Sequence, residues 1–151
     1  MKHLFRHGVH PPDFKELTAG VKIRRMPYPD EVVLPLSQHF GKPARLLVHP
    51  GDRVERGDML GAADGFMSSP IHASAAGTIS DIGLWPHPDG TQQSAVRINV
   101  EKYSPQAIRP RIVPDWEGLT AKELIQAVQD AGVVGLGGAA FPAHVKLSPP
   151  R

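Results

Sequence analysis

The chain has 151 residues, 17 of them basic and 15 acidic, so its formal net charge is only +2 and does not indicate a nucleic-acid partner. It contains no cysteine, which excludes disulfides, thiolate zinc sites and cysteine-ligated iron–sulfur clusters within these residues. No apolar run approaches the roughly 18–20 residues of a membrane-spanning helix, and the basic start lacks the apolar core of a signal peptide.

The start of the chain carries X-Pro steps and no sustained hydrophobic periodicity, so we expect an extended leader over residues 1–30. His3, His7 and His10 have a spacing that imidazole ligands could use. No carboxylate or cysteine completes a ligand set beside them, and we expect no metal site there.

Residues 31–100 carry short apolar alternations separated by glycine and proline turns, a pattern that predicts a compact β domain. The alternation over residues 32–36 contains Pro35, which places this strand at a sheet edge or a strand end. A second alternation over residues 96–100 predicts a strand with one buried and one wet face. The turn before it contains Gly90, which can adopt positive φ without steric cost.

Two Gly-Asp steps, at residues 51–52 and 57–58, predict a pair of turns with Val54 and Leu60 packed beneath them. A Gly-Thr-Ile strand follows at residues 77–79. This combination resembles the barrel-sandwich hybrid of biotinyl and lipoyl domains.

A carrier function would depend on one lysine. In biotinyl and lipoyl carriers, a lysine at the tip of the hairpin between the two segments accepts the cofactor. Residues 63–70 correspond to that tip and contain no lysine. A swinging-arm carrier is therefore disfavoured, and a structural or docking barrel is the favoured alternative.

The character of the sequence changes after the β domain. Residues 101–118 are proline-bearing and aperiodic, which predicts a linker. Thr120 and Glu123 then have the spacing of a capping box, and apolar residues follow at helical intervals. These signals predict a helix over residues 120–131, with Gly132 as its left-handed C′ residue.

A loop of small residues, which we call the glycine loop, follows over residues 133–142. Backbone amides in such a loop can approach a phosphate or a planar ring closely. The loop is neither the Gly-x-Gly-x-x-Gly fingerprint nor a P-loop. On the pattern alone, an ordinary tight turn remains the alternative.

Residues 135–147 are similar to the Gly-Gly-Ala-Gly-Phe-Pro-Thr-x-x-Lys segment of flavin- and NADH-binding subunits of respiratory complex I and its relatives. Further similarity lies at residues 8–12, 35–39, 63–66 and 145–150. Taken together, the chain resembles the amino-terminal part of the C subunits of Rnf electron transport complexes. The order of parts, barrel first and glycine loop second, agrees with that family.

The resemblance implies a mainly β barrel-sandwich hybrid over residues 31–100, followed by the truncated start of an α/β nucleotide-binding domain over residues 119–151. It implies that full-length members pass electrons between NADH and ferredoxin through FMN and 4Fe-4S clusters, coupled to ion translocation. The expected partners are other subunits of a membrane complex, with a peripheral position on the cytoplasmic side of the inner membrane. For this fragment alone we expect no bound cofactor and no activity.

The resemblance also implies a partial cofactor site in the glycine loop. Its residues are Gly135, Gly137, Gly138, Ala139, Ala140, Phe141 and Lys146. Lys146 matches the lysine expected to meet a cofactor phosphate. Ala140 replaces a usual glycine and Ala143 a usual threonine. The added methyl group matters if residue 140 needs positive φ or touches the flavin.

No catalytic residue is assigned, because no Ser/His/Asp arrangement can be argued from this order and spacing. His39 and His72 lie in strand-like segments and are interpreted as bonded structural histidines. Trp85 and Trp116 are interpreted as packing or interface residues. A non-catalytic docking or scaffold module remains the alternative function, and a carrier is the disfavoured second alternative.

Overall fold

The computed structural model describes residues 12–107 and 115–148 of the chain, so His3, His7 and His10 lie outside the described residues. Residues 12–30 are exposed throughout and contain one turn of 3-10 helix, Lys15–Leu17. Seven strands follow: β1 Glu31–Pro35, β2 Arg45–Leu46, β3 Arg53–Val54, β4 Met59–Ala62, β5 Ile71–His72, β6 Gly77–Pro86 and β7 Gln92–Val100.

The strands form two antiparallel sheets. One has four strands in the order β1-β7-β6-β3, and the other has three in the order β2-β4-β5. The long β6–β7 hairpin turns at Gly90, whose φ of 86° confirms the predicted left-handed position. Strand β1 lies at the edge of its sheet, as Pro35 predicted, because a residue without an N–H group cannot bond on both sides.

The two Gly-Asp turns have the same local geometry. The Asp52 carboxylate accepts a 2.7 Å hydrogen bond from the amide of His49, and the Asp58 carboxylate accepts one of 2.7 Å from the amide of Glu55. The glycine before each aspartate has positive φ, at 93° and 96°. The repeated motif therefore builds two equivalent corners of the β domain, as the sequence predicted.

The hydrophobic core draws on both sheets. Its buried members are Leu34, Leu36, Ala44, Val48, Val54, Leu60, Ile71, Ala73, Ile79, Val96 and Ile98. The two residues predicted to lie beneath the Gly-Asp turns belong to this set. In β7 the alternation also holds, since Val96 and Ile98 are buried whereas Asn99 is exposed.

Gln106 lies within the predicted linker yet packs against the β domain. Its side-chain amide accepts from the backbone amide of Ala76 at 2.7 Å and donates to the carbonyl groups of Ala76 and Glu101 at 3.1 and 3.0 Å. The side chain thereby takes the bonds that a neighbouring strand would make. A lone glutamine in an aperiodic stretch carries no pattern, so the sequence did not reveal this contact.

The second described range contains a 3-10 turn, Trp116–Gly118, and two helices, α1 Ala121–Asp130 and α2 Ala143–Leu147. The capping box of α1 is confirmed: the hydroxyl of Thr120 accepts from the amide of Glu123 at 3.3 Å, and the Glu123 carboxylate accepts from the amide of Thr120 at 2.8 Å. Gly132 has φ of 70° after the helix, as predicted. Helix α2 was not predicted, because five residues are too few for a periodic signal.

Within residues 12–107 and 115–148, none of the helices has the length and apolar character that crossing a bilayer requires.

Candidate functional site

The glycine loop is closed at its base by backbone bonds. Val134 and Pro142 form an isolated antiparallel bridge. The amide of Gly135 donates to the carbonyl of Phe141 at 2.9 Å, and the amide of Ala143 donates to the carbonyl of Val133 at 3.0 Å. These contacts leave residues 136–139 exposed at the tip of the loop.

Ala140 adopts positive φ, which is the conformation in which its methyl group was expected to matter. Its φ is 49°, a value that glycine adopts without penalty and that costs an L-residue with a Cβ atom about 1–2 kcal/mol. The alanine at this position, where the related segment has glycine, therefore introduces backbone strain into the loop.

Helix α2 brings Lys146 back over the base of the loop. Its ammonium nitrogen lies 5.8 Å from the ring centroid of Phe141, within the range of a cation–π contact. A Cβ atom added at Gly135 would lie 2.8 Å from the same nitrogen. Gly135, Phe141 and Lys146 thus come together, and the missing side chain at Gly135 leaves room for the lysine.

The remaining predicted site residues lie beside this group rather than within it. Gly137, Gly138 and Ala139 are exposed at the loop tip, and Gly138 has φ of 133°. In the described part of the chain, no backbone amide of residues 136–139 donates to a backbone carbonyl. The loop therefore presents a short row of available N–H groups next to a lysine, which is an arrangement suited to an anion.

The β domain contributes an aromatic residue that sequence reasoning missed. The ring of Phe40, in the loop after β1, stacks on the ring of Phe141 with centroids 5.7 Å apart and an interplanar angle of 20°. The amide of Phe40 also donates to the carbonyl of Ala140 at 3.3 Å. The sequence gives no signal for this pairing, because the two phenylalanines are about 100 positions apart.

His144 is a second residue that sequence reasoning missed. Its side chain is 1% exposed, and its Nε2 donates to the carbonyl oxygen of Phe66 at 2.7 Å. The two rings meet edge to face at 5.7 Å. Helix α2 is therefore attached directly to the β domain.

Of the histidines and tryptophans singled out in the sequence, three have structural environments, whereas Trp116 is 65% exposed. His39 is buried and bonded as predicted, with Nε2 3.0 Å from the amide nitrogen of Ser69, but its placement in a strand is wrong because it lies in the loop after β1. His72 ends β5 and is half-buried. Trp85 packs under the guanidinium group of Arg97 at 5.1 Å.

Among the residues that the structure describes, no three histidine or acidic side chains are grouped so that they could hold a metal ion.

A match to a protein family covers most of the chain. Residues 3–103 match the profile described as the RnfC barrel sandwich hybrid domain. The matched residues include the whole β domain and end before the glycine loop.

Curated relatives align with both parts of the chain. It is 40% identical over 146 residues to the C subunit of the proton-translocating ferredoxin:NAD(+) oxidoreductase complex of Clostridium ljungdahlii, covering 97% of this chain and 32% of that protein. It is 40% identical over 153 residues to the C subunit of the Na(+)-translocating ferredoxin:NAD(+) oxidoreductase complex of Acetobacterium woodii, covering 99% and 34%. For the C subunit of the ion-translocating oxidoreductase complex of Serratia proteamaculans, the identity is 40% over 145 residues, covering 95% and 20%. The chain thus spans about a third or less of the length of these relatives.

Proposed function

Because the chain belongs to the RnfC barrel sandwich hybrid domain family, we propose that it forms the amino-terminal region of an electron-transfer subunit in a membrane-associated, ion-translocating ferredoxin:NAD oxidoreductase complex. The observation that carries the proposal is the glycine loop, where Gly135, Phe141 and Lys146 converge after helix α1, beyond the family's β domain. The Rnf-type relatives align across this loop as well as across the β domain.

The residues after the linker begin an α/β nucleotide-binding domain in this proposal. Helix α1 supports this assignment. Its residues Leu124, Ile125 and Val128 form an apolar stripe, yet in the described part of the chain none of the residues of α1 is fully buried. Leu124 is exposed and Ile125 and Val128 are only partly buried, so this amphipathic helix has room for further packing partners. The longer relatives are consistent with additional structure that covers this face.

The loop fits a flavin that carries a phosphate. The N–H groups of residues 136–139 and the ammonium group of Lys146 would hold the phosphate, and Phe141 would lie beside the cofactor. Once bound, FMN would supply the one- and two-electron chemistry that connects NADH to iron–sulfur clusters. The clusters themselves would be held by other parts of the full-length protein, since this chain has no cysteine.

In this function, the residues of this chain bind the cofactor and orient it. Lys146 places a positive charge beside the loop amides, where it balances the charge of a phosphate. The bonds at Gly135 and Ala143 hold the base of the loop from which these amides extend. The other subunits, ferredoxin and NADH would be reached through the full-length protein, on the cytoplasmic face of the membrane.

A docking role for the β domain is the second candidate, and the contacts of residues 63–70 favour it. Gln129 of α1 and His144 of α2 both bond to carbonyl groups of this segment, where a carrier would display its lysine. The β domain then serves as a platform rather than a mobile arm.

Flavin binding by the full-length protein tests the proposal. We expect Lys146→Ala to weaken FMN binding about tenfold or more, because a charge-assisted bond to phosphate is lost. Lys122→Ala, at an exposed position of α1, is the matched control and should bind FMN as the wild type does. A wild-type protein without FMN, or equal affinity in the two variants, would contradict the assignment.

A further inference from the structure

Residues 63–70, which we call the tip loop, offer a set of backbone acceptors to the second part of the chain. The side-chain amide of Gln129 donates to the carbonyls of Gly65 and Ser68 at 3.4 and 3.3 Å. Nε2 of His144 donates to the carbonyl of Phe66 at 2.7 Å. Three carbonyl groups of one loop thus receive bonds from α1 and α2.

The tip loop is itself fixed by the loop that follows β1. The amide of Lys42 donates to the carbonyl of Met67 at 2.8 Å. Gly41 approaches so closely that an added Cβ atom would lie 1.9 Å from the same carbonyl oxygen. Because Phe40 in this loop also contacts Ala140 and Phe141, the β domain holds the glycine loop from two sides.

His144 connects this platform to the residues of the glycine loop. It follows the base of the loop by two positions and precedes Lys146 by two, within the same short helix. Its imidazole is buried, with Nε2 bonded to the tip loop and Nδ1 without a hydrogen-bond partner. A carbonyl oxygen only accepts, so the neutral ring must carry its proton on Nε2.

We infer that the tip loop is a docking surface for the glycine-loop region and that His144 is the positioning residue of this contact. The Nε2 bond holds α2 in one orientation on the β domain. That orientation sets the position of Lys146 and stabilises the bonds that close the base of the glycine loop. The inference concerns the chain without any cofactor, so its failure and the failure of the flavin assignment are separate results.

Two substitutions separate the hydrogen bond from the volume of the ring. His144→Gln places an amide N–H donor near the position of Nε2, whereas His144→Asn is too short to reach Phe66. A purely packing role would make both variants behave alike, because both lose the ring. A positioning role through Nε2 requires that glutamine rescues what asparagine loses.

Amide hydrogen exchange of the 151-residue chain measures the effect at the loop itself. The reporters are the amides of Gly135 and Ala143, and the internal references are the bonded amides of Ala73 and Ile79 in the β domain. In His144→Asn we expect exchange at both reporters to accelerate about tenfold or more, with the references unchanged. In His144→Gln the reporters should remain close to the wild-type rate.

A second pair of variants keeps the test decisive if His144→Asn fails to fold. Gln129→Met removes the donor to Gly65 and Ser68 while keeping the length of the side chain, and should also accelerate the reporters. Lys122→Met is the matched control, because Lys122 lies at an exposed position of the same helix. It should leave the reporter rates unchanged.

Nitrogen NMR of the imidazole completes the experiment, with Nε2 expected to be protonated and Nδ1 not. The inference is overturned if the reporters keep the wild-type rate in both His144→Asn and Gln129→Met. It is equally overturned if the β-domain references accelerate in parallel with the reporters, or if the ring proton is on Nδ1.

Discussion

At the scale of single residues, Ala140 is the position where this chain carries strain that a related segment avoids. Glycine at residue 140 would adopt the φ of 49° without a steric clash, although it would also make the unfolded chain more flexible. We expect Ala140→Gly to raise the free energy of unfolding by about 0.5–1 kcal/mol, measured by urea denaturation of the 151-residue chain.

The neighbouring Ala139→Gly is the control, since Ala139 is not among the described residues with positive φ. It should lower the free energy of unfolding by about 0.5–1 kcal/mol, because only the entropic cost of glycine remains. Equal effects of the same sign would show that φ at residue 140 is not the cause.

Gly41 and Gly51 form a second matched pair, because both have positive φ but only one is crowded. A Cβ atom at Gly41 would lie 1.9 Å from the Met67 carbonyl oxygen, whereas one at Gly51 would meet nothing within 4 Å. We expect Gly51→Ala to cost about 1–2 kcal/mol and Gly41→Ala about 2 kcal/mol more. Urea midpoints measure both, and a Gly41→Ala variant as stable as Gly51→Ala would refute the close approach.

Residues with local signatures could be read from the sequence, and residues with distant partners could not. The roles of Thr120, Glu123 and Gly132 were predicted because the residues that form a helix cap lie within a few positions of one another in the sequence. Phe40, Gln106 and His144 were missed. Each acts through a partner at least 30 positions away, and nothing in its own neighbourhood distinguishes it from an ordinary loop residue.

At the scale of elements, the cap of α1 is a stabilising contact with a defined pH dependence. Thr120→Ala removes the hydroxyl that accepts from the Glu123 amide, and should lower the free energy of unfolding by about 0.5–2 kcal/mol. Lys122→Ala, on the exposed face of the same helix, should have little effect. Urea denaturation measures both, and equal midpoints for the two variants would contradict the cap.

The bonds from the hydroxyl and amide of Thr120 lower the pKa of Glu123 from its ordinary value of 4.5. A carboxyl whose pKa is lower in the folded state adds stability above its unfolded pKa and loses it as the pH falls through the folded pKa. The wild type should therefore be more stable than Glu123→Gln at neutral pH. This difference in the free energy of unfolding should shrink as the pH falls below 4.5, and should disappear below the folded pKa of Glu123. Urea midpoints at a series of pH values measure it, and a constant difference down to strong acid would contradict the assignment.

Strand prediction succeeded where alternation was long enough to read. Strands β1 and β7 and the turn at Gly90 were predicted from their own residues. The two-residue strands β2, β3 and β5 have no measurable period, and their places in the sheets follow from partners elsewhere in the chain. Helix α2 shares this limit, so the element that carries both His144 and Lys146 was absent from the sequence prediction.

At the scale of the whole molecule, the proposed cofactor site lies on an exposed part of the glycine loop. Residues 136–139 are exposed, and Lys146 is the cation beside them. We expect residues 1–151 alone neither to bind FMN tightly nor to oxidise NADH, because ordering an exposed loop is paid from the binding free energy. Titration followed by flavin fluorescence measures this, and stoichiometric binding at micromolar concentration or below would show that the site is already complete.

The bonds of Gln106 to Ala76 have a consequence for how far apart the two parts of the chain can move. Gln106 is bonded to the β domain, and the nine residues 107–115 join it to the 3-10 turn that begins at Trp116. Ten Cα steps reach at most about 35 Å, and a tether of this length keeps its two ends at an effective concentration of about millimolar. At that effective concentration, the few contacts of Gln129 and His144 are enough to keep the β domain and the helical part associated. Weakening one of these contacts therefore changes how often the two parts separate, but it does not release either of them into solution.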